Sequence, residues 1–280
     1  MDNRKTWFIT GTSQGMGLEL VKKVLDSGDN VLAASRTITS ILPKMQSYSE
    51  RLLQVKVNLN DEESIKAGVY AAIEKFGKID VLVNNAGYGL LGGIEESSKT
   101  EVQANFDVNV FGLLSVTRAV LPYMREKRSG HIFNISSVFG LIAGAGWGIY
   151  CATKFAVEGL SEALAQEIKP FGIYVTIIEP GYFRTNFLNA GSVILPEKSI
   201  EAYTDIEEVK RKHEHDLPGT QPGDPEKAAE VIISTAQMHE PPLRLLLGSD
   251  AVQFANYKIN MLLDEMKKNE MISISTDYDQ

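Results

Sequence analysis

Two short stretches carry residue types whose spacing could do chemistry. In "YCATK", Tyr150 and Lys154 stand four residues apart, so on a helix both project from one face. A free phenol, with a pKa near 10, is a poor general base at neutral pH. A neighbouring cation favours phenolate, and three units of depression need about 4 kcal/mol of differential stabilisation. A tyrosine tuned in this way can give a proton to an alkoxide or take one from an alcohol. The spacing alone is weak, because Tyr123 and Lys127 in "YMREK" repeat it.

The second stretch is "TGTSQGMG", residues 10–17. Gly11, Ser13 and Gly15 spell G-x-S-x-G, the turn that presents a nucleophilic serine in hydrolases. With Gly17, the same glycines could instead line a turn that lets a phosphate approach the backbone at a helix start. A nucleophile turn borrows an oxyanion-hole N–H from an earlier strand–helix loop, and only nine residues precede Thr10. It also needs a downstream acid followed by a histidine. Of the four histidines, His131 opens a buried-looking strand and the His213/His215 pair lies in a charged run, leaving His239. A serine hydrolase using Ser13 is therefore the weaker alternative, and the phosphate cradle the stronger.

Short β-branched apolar runs alternate with longer segments of helical period, and these elements must position both stretches. The expected strands are "TWFIT", "NVLAAS", "LLQVKV", "IDVLVNN", "HIFNIS", "YVTIIEP" and "LRLLLG". Several are apolar almost throughout, as strands covered on both faces are. "GLELVKKVLDSG" carries Leu18, Val21 and Leu25 at helical spacing with Gly28 as a stop, and "DEESIKAGVYAAIEKFG" starts at Asp61 or Glu62 and ends at Gly77. Strands separated by helices predict an α/β fold, a Rossmann-like doubly wound parallel sheet of about seven strands flanked by helices. No linker, repeat or low-complexity tract divides 1–280, so one domain is expected. An irregular stretch, 182–223, reads as a substrate lid whose tail "SIEAYTDIEEVKRKHE" has helical character, and 249–280 reads as a C-terminal extension.

With 280 residues, 44% of them hydrophobic and 23% charged, the composition is ordinary for a globular chain. A net charge of −8 argues against nucleic acid and against a polybasic membrane partner. One cysteine, Cys151, fits a reducing compartment, and "MDNRKTWFIT" lacks the apolar core of a secretion signal, so a cytoplasmic location is expected. No membrane partner and no metal are expected.

The glycine loop is spaced T-G-x3-G-x-G, and in this the sequence resembles the short-chain dehydrogenase/reductase family. It resembles the non-extended type, since the extended branch typically has T-G-x2-G-x2-G and a longer chain. The resemblance spans most of the chain. "NNAG" at 84–87 matches the family motif after the fourth strand, "DVNVFG" places Asn109 at its helix-bound Asn, and "EPGYFRT" matches P-G-x3-T. The family serine lies about a dozen residues before the tyrosine. Ser137 stands thirteen before Tyr150, whereas Val110 stands thirteen before Tyr123, which leaves the Tyr123 pair as helix surface.

The resemblance implies catalytic roles for Ser137, Tyr150 and Lys154, with Asn109 joined to Lys154 through a water in a proton relay. It implies a cofactor site formed by Gly11, Ser13, Gln14, Gly15, Met16 and Gly17. Further contacts come from Ser35 and Arg36, from Asn58 and Leu59, and from Asn85, Ala86 and Gly87. Pro180, Gly181, Phe183 and Thr185 complete it beside Tyr150 and Lys154. A carboxylate at the end of the second strand would bind the ribose hydroxyls of NAD. Here Ser35 takes that place and Arg36 follows, so NADP(H) is expected in preference to NAD(H). Asn58 stands where an Asp often meets the adenine, and Gln14 replaces a basic residue common in NADP-preferring members.

The implied function is reversible hydride transfer between NADP(H) and a hydrophobic ketone, aldehyde or secondary alcohol. The expected pocket walls are Tyr88 to Ile94, Val138 to Trp147, Phe183, Phe187 and Leu188. A cofactor-binding regulator on the same fold is the second alternative. The family implies a homodimer or homotetramer built through its fourth and fifth helices.

Overall fold

The computed structural model describes residues 4–38, 46–188 and 191–278. Its first strand, β1 (Thr6–Thr10), is buried along its whole length, as a central strand of a two-sided sheet must be. Around it β2 (Asn30–Ser35), β3 (Leu52–Lys56), β4 (Val81–Asn84), β6 (Gly130–Ile135), β7 (Ile173–Pro180) and β9 (Arg244–Leu247) form one seven-stranded sheet of order β3-β2-β1-β4-β6-β7-β9. Every pairing in it is parallel. Each expected strand is present with its ends moved by at most two residues. Two further strands, β5 (Gly89–Leu90) and β8 (Val193–Ile194), pair in a separate two-stranded parallel sheet that the sequence does not announce.

Side chains alternate across the large sheet, as period two requires. Trp7, Ile9, Val31, Ala33, Val81 and Val83 face a core closed by α1 (Gly15–Asp26) and α7 (Pro225–Thr235). Phe8, Leu32, Ala34 and Leu82 face the opposite core, closed by α2 (Glu62–Phe76), α4 (Leu113–Lys127) and the end of α5 (Gly148–Ile168). Helices on both faces of a parallel sheet are the doubly wound architecture. The chain runs outward from β1 to β3, then crosses back to β4 on the other side. The strand order therefore reverses between β1 and β4, and a crevice opens at their carboxyl ends.

Three helix starts are sealed by their own sequence. Asp61 caps α2 by accepting from the Glu63 and Ser64 N–H groups. Ser98 and Glu101 form a capping box on α3 (Lys99–Phe106), and Asp224 caps α7 ahead of Pro225. Gly77 ends α2 at φ 75°. A π-helical stretch, Asp107–Gly112, joins α3 to α4 without a break. The expected lid contains α6 (Thr204–Arg211) and a π-helical turn, Lys212–Asp216; residues 189–190 of that lid lie outside the described residues. The extension is one long helix, α8 (Ser249–Ile274), which buries only Ala251 and Ala255; its residues 279–280 also lie outside the described ones.

Candidate active site

The glycine loop sits at the crevice where the strand order reverses, locked to the neighbouring strand by side-chain-to-backbone hydrogen bonds. The Thr10 hydroxyl accepts from the Asn85 and Ala86 N–H groups at 3.0 and 3.1 Å. Asn85 Nδ2 donates back to the Thr10 and Gly11 carbonyls at 2.9 and 3.0 Å. This packing leaves no room for side chains. A Cβ on Gly17 would lie 2.3 Å from Asn85 Nδ2, and one on Gly11, at φ +70°, would lie 2.7 Å from Ala86 Cα. Gly17 thus serves close packing and is absent from the cavity lining.

α1 begins at Gly15 with neither a side-chain cap nor an acidic residue in its first turn, unlike α2, α3 and α7. Its free N–H groups and positive dipole end are left to an external anion. A cavity of about 420 Å³ opens there, lined at this end by Gly11, Ser13, Gln14, Gly15 and Met16. Ser35, Arg36, Asn58 and Leu59 line its far side, and Asn85, Ala86 and Gly87 its floor. Arg36 is exposed, and among the described residues no carboxylate forms an ion pair with it.

The other end of the same cavity gathers Ser137, Tyr150 and Lys154 with Pro180, Gly181, Phe183 and Thr185. Tyr150 and Lys154 lie on one face of α5, and the ammonium sits 5.6 Å from the phenol ring centroid. Lys154 Nζ donates to the Ile135 carbonyl at 2.8 Å, tying α5 to the end of β6. Ser137 follows β6 in extended conformation; its Oγ accepts from the Phe139 N–H at 3.1 Å and reaches the Pro180 carbonyl at 3.5 Å.

Tyr150 and Lys154 are both buried, and burial drives each toward its neutral form. The Tyr150 phenol is pushed above its ordinary value, against a lowering hydrogen bond with Ser137, and Lys154 is pulled down to about 8. The protein atoms alone thus do the reverse of the depression expected for Tyr150, because desolvation outweighs the Ser137 hydrogen bond.

Asn109 lies behind the cavity wall rather than on it. Its Oδ1 accepts from the Tyr88 N–H, and its Nδ2 donates to the Tyr88 carbonyl and to the Thr153 hydroxyl at 2.9 and 3.1 Å. Gly87 separates it from Lys154: a Cβ there would lie 3.1 Å from Asn109 Oδ1 and 3.7 Å from Lys154 Nζ. Ile94, expected in the wall, is 71% exposed and outside the lining. Cys151 is a buried thiol raised by burial, an inert packing residue.

The aromatic wall includes Phe139, Trp147, Phe187 and Tyr182, with Phe139–Trp147 centroids at 5.8 Å and Tyr150–Phe187 at 5.9 Å. Tyr182 is a lining residue that the sequence reading did not single out. It is held by His213, whose Nε2 meets the Tyr182 hydroxyl at 3.0 Å and the Trp147 indole N–H at 3.3 Å. His213 is buried, contrary to the solvated run in which it reads. Ile206, Val209, Lys210, His213 and Leu217, at positions i, i+3, i+4, i+7 and i+11, form the inward face that this run conceals. On the same face Lys210 pairs with buried Glu96 at 3.0 Å. Gln14 Nε2 donates to Ser192 Oγ at 2.8 Å, bridging the glycine loop and the segment after Leu188.

The short chain dehydrogenase family model matches residues 5–192. The chain is 36% identical to oxidoreductase BOA17 of Botryotinia fuckeliana over 97% of its own length and 99% of that protein's. It is 34% identical to the 3-ketodihydrosphingosine reductase of Bacteroides thetaiotaomicron over 86% of each. A short-chain dehydrogenase crystal structure from Streptomyces avermitilis superimposes with a TM-score of 0.91 at 38% identity, covering 99% of this chain and 100% of that one. Solved structures of similar fold include complexes with NAD and with NADP. Matched over two thirds of its length and built on the same sheet, the chain belongs to the short-chain dehydrogenase family, a family of oxidoreductases.

Proposed function

We propose that this protein is an NADPH-dependent carbonyl reductase, reversible as an alcohol dehydrogenase, acting on hydrophobic ketones, aldehydes or secondary alcohols. One observation carries the reading: Ser137, Tyr150 and Lys154 open onto the aromatic end of a single cavity whose other end is the uncapped start of α1. The glycine loop fits a pyrophosphate, since no side chain caps the start of α1 and its glycines leave the backbone bare. Arg36 can grip a 2′-phosphate, which supports NADP(H) over NAD(H). Bound NADPH supplies the hydride.

The Ser137 hydroxyl donates to the substrate carbonyl oxygen, and Tyr150 gives that oxygen its proton. A phenol held neutral by burial is the form a proton donor needs. Lys154 holds the ribose hydroxyls and, while charged, lowers the cost of leaving phenolate behind. Asn109 fixes Tyr88 and the wall beside Lys154. Phe139, Trp147, Tyr182 and Phe187 favour an apolar or aromatic substituent next to the carbonyl. Exposed Phe111, in the π-helical stretch that leads into α4, and Phe155 and Leu160 on α5 support a homodimer or homotetramer through those helices.

The test is NADPH and NADH consumption with a panel of hydrophobic ketones. Tyr150→Phe should lose about 10²–10⁴-fold in turnover. Equal turnover by native protein and Tyr150→Phe would overturn the proton role, and a hydrolysis abolished by Ser13→Ala would restore the hydrolase.

A further inference from the structure

Behind Lys154 lies a group of buried ionisable side chains that hydride transfer does not use. Glu158, one turn further along α5, is 6% exposed, and Glu179, just before Pro180 on β7, is 1% exposed. Both oxygens of Glu158 and Oε1 of Glu179 are buried without a hydrogen-bond donor. Arg244 of β9 stands 3.5 Å from Glu158 Oε2 and 3.6 Å from Glu179 Oε1, and holds Glu162 more closely, at 3.0 Å. The buried Ser136 hydroxyl closes the group from the end of β6. Gly140 makes the approach possible, since a Cβ there would lie 2.5 Å from Ser136 Oγ and 3.0 Å from Glu158 Oε1. Two ionised carboxylates in this space repel and leave oxygens unpaired, whereas one shared proton turns one carboxyl into a donor to the other.

We propose that Glu158 and Glu179 hold one proton between them, and that the remaining negative charge on Glu158 keeps Lys154 protonated. This rests on the carbonyl-reductase reading, which gives the charge on Lys154 its use, and it makes Glu158 a positioning residue. Burial pulls Lys154 down to about 8, and the Glu158 charge opposes that fall. Burial also pushes both carboxyls up, Glu179 to about 8, with repulsion from Glu158 adding to the rise. The groups facing the pair are Lys154 on α5, Arg244 on β9 and the Ser136 hydroxyl, with Glu162 competing for Arg244.

The experiment is the pH profile of kcat/KM for carbonyl reduction in E179Q, E158Q and the double variant. E179Q should keep the native alkaline limb, because its amide stands in for the protonated acid. E158Q should move that limb about one unit lower, a roughly tenfold loss of proton affinity at Lys154. The double variant should move it at least as far, and E158D should restore it. A uniform loss of rate with the limb unmoved would make Glu158 merely structural and overturn the proposal.

Two readouts do not need turnover. The native protein at neutral pH should show the infrared C=O band of a buried carboxylic acid, absent in E179Q. The pH dependence of NADPH binding should shift in E158Q as the kinetic limb does. No such band in native protein, or unshifted NADPH binding, overturns the proposal. Both signals present without reduction of any carbonyl would instead count against the reductase reading.

Discussion

The cavity has two sides made in different ways. Its floor, from the glycine loop through Asn85 to Ser137, is fixed where parallel strands end side by side. Asn85 and Thr10 bond each other's backbones, and Gly11 and Gly17 leave no gap. Its cover, 182–223, is held by side chains reaching across long sequence separations. Lys210 meets Glu96, His213 meets Trp147 and Tyr182, and Arg184 donates to the Gln221 carbonyl at 3.1 and 3.2 Å. A floor built from backbone tolerates little change. A cover pinned at a few side chains and by the two-residue β5–β8 pairing can be loosened alone, and local opening of such elements is the usual low-stability motion.

The comparison breaks most sharply at Glu96. Its carboxylate, held ionised by Lys210 and by the Gly93 and Ile200 N–H groups, would vanish in Glu96→Ala. Lys210 keeps its pair with Glu207 at 2.7 Å, but the Gly93 and Ile200 N–H groups lose their acceptor, which should cost about 1–3 kcal/mol each. The loss should appear as protease cleavage within 182–223 and a raised KM for substrate, with NADPH affinity nearly native. Equal loss of both affinities would show that floor and cover are one unit.

Arg36→Asp acts only at the glycine-loop end of the cavity, away from the cover. It should remove NADPH preference by about 1.5–3 kcal/mol, read as the ratio of kcat/KM for NADPH and NADH, without changing KM for the carbonyl. Gly17→Ala strikes the floor's packing through the 2.3 Å clash with Asn85. It should destabilise the fold by about 1–3 kcal/mol in a thermal melt and weaken cofactor binding, leaving the cover's protease resistance at low temperature intact.

The smallest effect belongs to His213. Burial holds its pKa below the ordinary 6.5, so the folded cover binds fewer protons than the open chain. Its contribution is full above about pH 6.5 and is lost as pH falls below that value. Protonation removes the acceptor that Trp147 and Tyr182 share, worth about 1 kcal/mol per bond. KM for substrate should rise a few-fold between pH 7.5 and 5.5 in native protein, and His213→Gln, which keeps an acceptor without titrating, should flatten that rise.

Much of the floor was legible in the sequence because its determinants are local. Thr10 to Gly17 read as strand, turn and helix start; Asp61 and Gly77 bracketed α2 as expected; the seven strands lay where apolar runs placed them. Tyr150 and Lys154 share a face because the helix repeat dictates it. The inward face of the cover was not legible. "EEVKRKHEHD" reads as a solvated charged run, and only its docking against Glu96 and Trp147 shows that Lys210 and His213 point inward.

The sequence by itself determined the strands of the large sheet, their order along the chain and the residue types brought to the cleft, because periodicity, caps and glycine conformations act between near neighbours. Tertiary structure alone decided which of those groups are dry. Desolvation pulls Lys154 down, raises Tyr150 and leaves Glu158 and Glu179 short of hydrogen-bond donors, and it depends on what packs around a group rather than on what precedes it in the chain.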